Sequence, residues 1–338
     1  MPACILSLDL EKIPMNIPGR PQPAPLAEAA RLSPSFDADR LARELVEVSG
    51  HRWQPQRIRA PGGGIGAAAA IDWRVLPLRS PGGDPDRTDP GGPGPADFAP
   101  TVWLKRLPYL REILGSIPAP LNAVRLMALG PGAARKPHRD SKYALHRGLA
   151  RMHIPLVTHP GAVLILDGVE HCWQPGQLWY GDFSREHMVR NAGPVARVHT
   201  VIDALFTREL AELFPADWQT ALNESDVLVN QTTQPPAPCP VALPYATYLP
   251  RGFTDFGHDQ SLDGPLHPGQ VTMAGGQLTL SSADGRVFAL APAGPDEYRF
   301  AGWSQQRTLR LAGDGVLLRV RRGRVLQERH LPSTASVR

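Results

Sequence analysis

Between residues 150 and 205 the chain is a succession of short apolar or alternating runs. Ala150 to Thr158, Ala162 to Asp167, Glu170 to Trp173, Gln177 to Tyr180, Glu186 to Asn191 and Ala196 to Leu205 have the length and residue types of strands. Turn residues divide them, at His159-Pro160-Gly161, Asp167-Gly168, Pro175-Gly176 and Gly193-Pro194. Antiparallel strands spaced this closely predict a small barrel or jelly roll.

The flanks carry different periods. Leu41, Leu45 and Val48 fall at helical spacing behind Ser35 and Asp37, either of which can cap a helix. The Gly63-Gly64-Ile65-Gly66 run lacks the strand, lysine and helix of a phosphate loop, so a flexible turn before a strand at Ala68 to Leu76 is expected. Ser80 to Pro95 is polar and rich in Pro and Gly, which predicts a mobile segment and leaves a lid open as a role. Thr101 to Ile117 reads as an amphipathic helical segment interrupted by Pro108, Leu121 to Leu129 as a strand, and Phe206 to Asn223 as helix broken at Pro215. Beyond a Pro-rich connection at 226 to 250, seven short strands follow between 268 and 330, with hairpin signals at Gly275-Gly276, Asp284-Gly285 and Asp314-Gly315.

Composition narrows the field by exclusion. The 37 Pro and 32 Gly limit long helices, and the basic and acidic residues, 36 and 32, are too balanced to predict nucleic-acid binding. Cys4, Cys172 and Cys239 form neither a disulfide framework nor a zinc motif. No apolar run approaches the ~20 residues of a membrane span, and the first residues lack a signal-peptide layout. A cytoplasmic protein without membrane partners is the expectation.

Chemistry concentrates in one stretch. Six of the eleven histidines lie between His138 and Arg197. His138 and Asp140, one residue apart, can converge on one ion, with His187 as the candidate third ligand. Two His and one Asp with open positions make the facial triad of non-haem Fe(II) oxygenases. The H-x-D triplet alone is common, and its place before a run of strands strengthens it. Period two puts Arg151 with His153 on one strand face, and Arg197 with His199 on another. Charges in apolar strands need partners, so an anion inside the barrel is expected, and a guanidinium suits a carboxylate. Arg125 faces either this interior or solvent, and the pattern leaves both open.

The ordered set PHRD (Pro137 to Asp140), RMHIPL (Arg151 to Leu156), WQPGQ (Trp173 to Gln177), GDFSREHMVRN (Gly181 to Asn191) and RVHTVIDA (Arg197 to Ala204) resembles the aspartyl/asparaginyl β-hydroxylase family of 2-oxoglutarate-dependent dioxygenases. The resemblance spans roughly residues 100 to 207 and is nearest the bacterial branch that includes proline cis-4-hydroxylases. It implies that His138, Asp140 and His187 bind Fe(II), that Arg197 holds the far carboxylate of 2-oxoglutarate, and that Arg151 and His153 lie near this cosubstrate. Animal members lack the carboxylate ligand, so Asp140 favours the amino-acid-hydroxylase branch and argues against a halogenase.

These readings combine into a mainly β protein. A Pro-rich arm (1–35) leads into a double-stranded β-helix, or cupin-like jelly roll, with flanking helices (36–225). A connection and a smaller accessory β domain (226–338) follow, and no metal ligand is expected from them. The expected activity is hydroxylation of an unactivated C–H of an amino acid such as proline, using Fe(II), 2-oxoglutarate and O2. A tailoring hydroxylase of a peptide or carrier-bound aminoacyl group is the alternative enzyme. A non-catalytic barrel that binds or senses a ligand is the alternative outside enzymes.

Overall fold

A computed structural model describes residues 26–59, 65–231, 239–257 and 262–332. The arm at 1–25, the Gly63-Gly64 turn and His258 lie outside the described residues.

Two antiparallel sheets form the central barrel. The larger runs in the order Ala29–Ser35, Gln177–Gly181, Leu149–Val157, Arg197–Leu205, Leu121–Leu129, Trp73–Pro81 and Gln54–Pro55. The smaller runs Val169–His171, Ala162–Leu166, His187–Asn191 and Ala134–His138. From Leu121–Leu129 to Arg197–Leu205 the chain passes back and forth between the two sheets, apart from the hairpin of Ala162–Leu166 and Val169–His171 that stays in the smaller one, and this is the double-stranded β-helix expected from the closely spaced runs.

The three central strands of the larger sheet have two different faces, because side chains alternate across a strand. Val124 and Leu126, Met152 and Ile154, and Ile202 and Ala204 point outward into an apolar cluster. The helices Ala38–Ser49 and Pro108–Ser116 cover that cluster with Leu41, Val48, Leu110 and Ile113. Each such buried aliphatic side chain contributes about 1.5–3 kcal/mol. Asp37 caps the first helix by accepting from Arg40 N. Glu44 in turn accepts from the N–H groups of Tyr109 and Leu110 at the start of the second, which have no partner within the helix. The helical segment read over Thr101 to Ile117 is a short 3-10 turn at Leu104–Arg106 and a helix that starts at Pro108, where the missing N–H is no loss. The inner faces of the same strands carry Arg125 and Met127, Arg151 and His153, and Arg197, His199, Val201 and Asp203.

Two further differences from the sequence reading concern the first half of the chain. The strand expected at Ala68 to Leu76 occupies Trp73–Pro81, and its pairing slips at Pro77, where no N–H is available for the ladder. Residues 80–95, expected to be mobile, are held at several points: Asp89 accepts from Gly91 N and Arg87, Lys142 Nζ donates to Gly91 O, and Ala289 N donates to Gly94 O.

The C-terminal region is an eight-stranded antiparallel meander from Tyr245–Pro250 to Val325–Pro332, each strand paired with the next in sequence. Its apolar interior is continuous with part of the barrel, as Tyr143, Leu164 and Phe183 share a cluster with Phe288, Phe300 and Trp303.

Candidate active site

His138 ends one strand of the smaller sheet and His187 begins its neighbour, and the two are register partners. Their rings lie 4.2 Å apart between centroids. Asp140 follows His138 by two residues, and its backbone N–H is fixed by Phe183 O at 2.9 Å. One ligand atom from each of His138, Asp140 and His187 lies within 4.8 Å of the others.

Both imidazoles are aimed by the same local device. His138 Nδ1 lies 2.9 Å from Lys136 O, and His187 Nδ1 lies 3.0 Å from Arg185 O. A carbonyl oxygen can only accept, so each Nδ1 carries the proton and each Nε2 keeps its lone pair for a metal. Burial lowers the His187 pKa further, which favours the neutral ligand form. Burial works against charge on Asp140, but Arg151 and the two imidazoles outweigh it and hold its carboxyl below the usual range. Two imidazoles, each with Nδ1 bound to a backbone carbonyl, and a carboxylate with a shared focus fit a divalent ion that keeps open positions.

Behind this set lies a buried ionic network. Arg151 donates to Asp140 Oδ2 at 2.6 Å, and to Asp203 through Nε at 2.7 Å and Nη2 at 3.1 Å. Asp203 also accepts from the Tyr143 hydroxyl at 2.7 Å and faces Arg125 Nη2 at 3.5 Å. Arg151 lies over the Tyr143 ring at 3.6 Å. Arg151, read from the resemblance as a neighbour of the cosubstrate, thus lines the cavity while its guanidinium bridges two carboxylates. Asp203 and Tyr143 were not singled out from the sequence. Period two could have found Asp203, which shares a strand face with Arg197 and His199.

Arg197 is 4% exposed and has no carboxylate partner among the described residues. Burial pulls its guanidinium pKa down to about 9, which still leaves it cationic at neutral pH. Its Nη2 lies 2.9 Å from His199 Nδ1, which must accept because a guanidinium only donates. His153 Nδ1 lies 3.3 Å from the same nitrogen and so carries the proton in that contact. Burial and the Arg197 charge keep both imidazoles well below their ordinary pKa, hence neutral. His153 also stacks on Phe183, at 4.9 Å and 12°.

All six residues singled out from the sequence border one cavity of about 330 Å³. Arg125 borders it too: it is 1% exposed, and its Nε and Nη1 have no hydrogen-bond partner among the described residues. Met127, Leu164, Phe183, Val189 and Val201 supply apolar wall, and Pro90 and Gly91 close one side.

Comparison with solved structures finds partial likenesses. An oxidoreductase of the 2OG-Fe(II) oxygenase family from Burkholderia pseudomallei is 14% identical, covering 50% of this chain and 79% of that one, with a TM-score of 0.35. A prolyl-4-hydroxylase from Pseudomonas putida is 16% identical, covering 53% and 91%, with a TM-score of 0.30. A cupin domain from Bordetella pertussis is 19% identical, covering 26% and 86%, with a TM-score of 0.20. No curated protein matches significantly. Among the described residues no helix is long and apolar enough to cross a membrane. The sequence profile of the aspartyl/asparaginyl β-hydroxylases matches residues 36–206, a span that holds His138, Asp140, His187 and the network behind them, and the chain belongs to that family of 2-oxoglutarate-dependent dioxygenases.

Proposed function

We propose that the protein hydroxylates an unactivated C–H of an amino acid, with Fe(II) held by His138, Asp140 and His187 and 2-oxoglutarate held through Arg197. With O2, the loaded centre would supply an oxidant able to take a hydrogen from such a carbon, with 2-oxoglutarate converted to succinate and CO2. The chain's part is positional. Arg151 donates to Asp140 Oδ2 and so orients the carboxylate that would hold the ion. Asp203 and Tyr143 fix Arg151, and through it the carboxylate. Arg197 offers a buried cation to the distal carboxylate of the cosubstrate, and the aromatic and aliphatic wall keeps water from the reacting carbon.

The observation that carries the amino-acid reading is Arg125. A buried guanidinium with two unpartnered N–H groups at a cavity wall suits a substrate carboxylate. A screen of free amino acids and short peptides for succinate release tests this. Turnover should depend on a free or closely placed carboxylate, and Arg125→Gln should raise KM for the substrate more than for 2-oxoglutarate. Equal KM for the substrate in Arg125→Gln and wild type would assign Arg125 to structure alone.

A further inference from the structure

The cavity has a second group of cations, at its mouth. Arg135 and Arg139 both line it, half-buried and exposed respectively. Neither makes an ion pair or a side-chain hydrogen bond among the described residues.

Backbone geometry places Arg135 there. His138 pairs with His187 and Arg135 with Val189, three steps on one strand against two on the other. The extra residue is a β-bulge. In a regular strand, residues three apart point to opposite faces, so Arg135 would turn away from the cavity that His138 enters. The bulge brings both to the same side, and bulges beside active sites re-aim side chains in this way.

Charge balance then bears on the substrate. Arg125 and Arg151 face Asp140 and Asp203, while a divalent ion and a dianionic cosubstrate balance each other. Besides Lys142, which donates to Gly91 O, the cations Arg197, Arg135 and Arg139 remain in excess, and Asp140 is the sole carboxylate residue among those lining the cavity. A zwitterionic amino acid brings no net charge to offset them.

We infer that Arg135 and Arg139 form a second anion subsite, so that the substrate carries, besides the carboxylate at Arg125, a further anionic group, either a carboxylate or a phosphate. This rests on the reading of the cavity as an amino-acid hydroxylase site and narrows its substrate class. The bulge fixes the direction of Arg135, and Arg139, between the two ligands in sequence, supplies the second cation at the rim.

The test is calorimetric titration of the full-length protein, loaded with Fe(II) and saturating 2-oxoglutarate without oxygen. Two matched pairs serve as probes: L-glutamate against L-glutamine for a carboxylate, and O-phospho-L-serine against L-serine for a phosphate. The charged member of at least one pair should bind about tenfold more tightly, an advantage that shrinks as salt is added. The pair that shows the advantage identifies the source. The double variant Arg135→Gln/Arg139→Gln should lose the advantage while keeping its affinity for 2-oxoglutarate. Equal binding within both pairs, binding of no charged member, or an advantage that survives in the double variant overturns the inference. Failure of the wild type to bind 2-oxoglutarate would instead overturn the reading on which it rests.

Discussion

Replacing Asp203 with Asn removes one charge and almost no volume, at the point where the ionic network is most deeply buried. Its carboxylate receives two N–H groups of Arg151 and the hydroxyl of Tyr143, with Arg125 at 3.5 Å, and its side chain is 2% exposed. An amide can accept at one oxygen only, and its NH2 faces groups that themselves donate. Two guanidinium groups are then left with Asp140 as the nearest carboxylate. Removing one partner of a buried ion pair costs about 3–5 kcal/mol. At about 2.1 cal/mol/K of unfolding entropy per residue, a chain of 338 residues shifts by about 1.4 °C per kcal/mol, so Tm should fall by roughly 5 °C. Tyr143→Phe removes a single neutral donor and should cost only about 1 kcal/mol. The pH dependence gives a second readout. Burial opposes charge on Asp203, yet Arg151 and Arg125 outweigh it and hold its pKa below the usual value. Its contribution is therefore complete above the unfolded-state pKa of ~3.9 and is lost as pH falls through the depressed folded value. Asp203→Asn should lack that part of the acid limb. Arg151 would also lose its anchor, so metal affinity should fall by about tenfold to a hundredfold. A Tm within about 2 °C of wild type, measured by thermal melting at pH 7, would refute the view that this network is held by Asp203.

Three other outcomes follow from the same geometry. His187→Ala should weaken Fe(II) binding by more than about a hundredfold, since losses from outer-shell changes alone reach that size; equilibrium dialysis showing wild-type affinity would remove His187 from the ligand set. Arg197→Lys keeps the charge but not the planar fork, and should weaken 2-oxoglutarate binding by about tenfold to a hundredfold by calorimetry, whereas unchanged affinity would make Arg197 structural. Gly302→Ala places a Cβ at φ +78°, 2.7 Å from Gly92 O; it should cost at least about 1 kcal/mol in denaturant melts and raise substrate KM while sparing 2-oxoglutarate affinity, and an unchanged KM would separate the 80–95 segment from substrate binding.

How much was legible in the sequence depended on whether a residue's partners were nearby in the chain. The barrel strands were readable because period-two runs and turn residues are local signals, and they place most boundaries within a residue or two. Ala29–Ser35 was hidden in a Pro-rich arm. It is the edge strand of its sheet, where a missing N–H is tolerated, so Pro34 is no obstacle. Tyr245–Pro250, between prolines at the edge of the C-terminal meander, was hidden for the same reason. Arg125 stayed undecided because Leu121–Leu129 is apolar on both faces, so alternation does not say which side is inside. The roles of Asp203 and Tyr143 exist only across the barrel, between residues 60 apart in sequence. Composition misled at 80–95, since polarity describes what a segment could do alone and not what holds it.

What holds that segment also alters the sense in which the C-terminal region is accessory. Among the described residues the candidate ligand group comes from the barrel alone. The cavity wall leans on the meander. Gly94 O accepts the N–H of Ala289 in the meander at 2.7 Å, Gly302 packs against Gly92, and Pro90 and Gly91, just before these contacts, form cavity wall. A second line of contact runs through Asn230, which donates to Gly148 O and Phe206 O in the barrel and accepts from Gln305 N in the meander. Phe183 is common to both systems: it stacks on His153 in the cavity and belongs to the apolar cluster that continues to Phe300 and Trp303. A change in the packing of the meander thus reaches the substrate side of the site through the 80–95 segment and Phe183, while His138, Asp140 and His187 are positioned by strand register and their own backbone carbonyls. The candidate metal ligands and the wall of the cavity are, in this fold, supported by different parts of the chain.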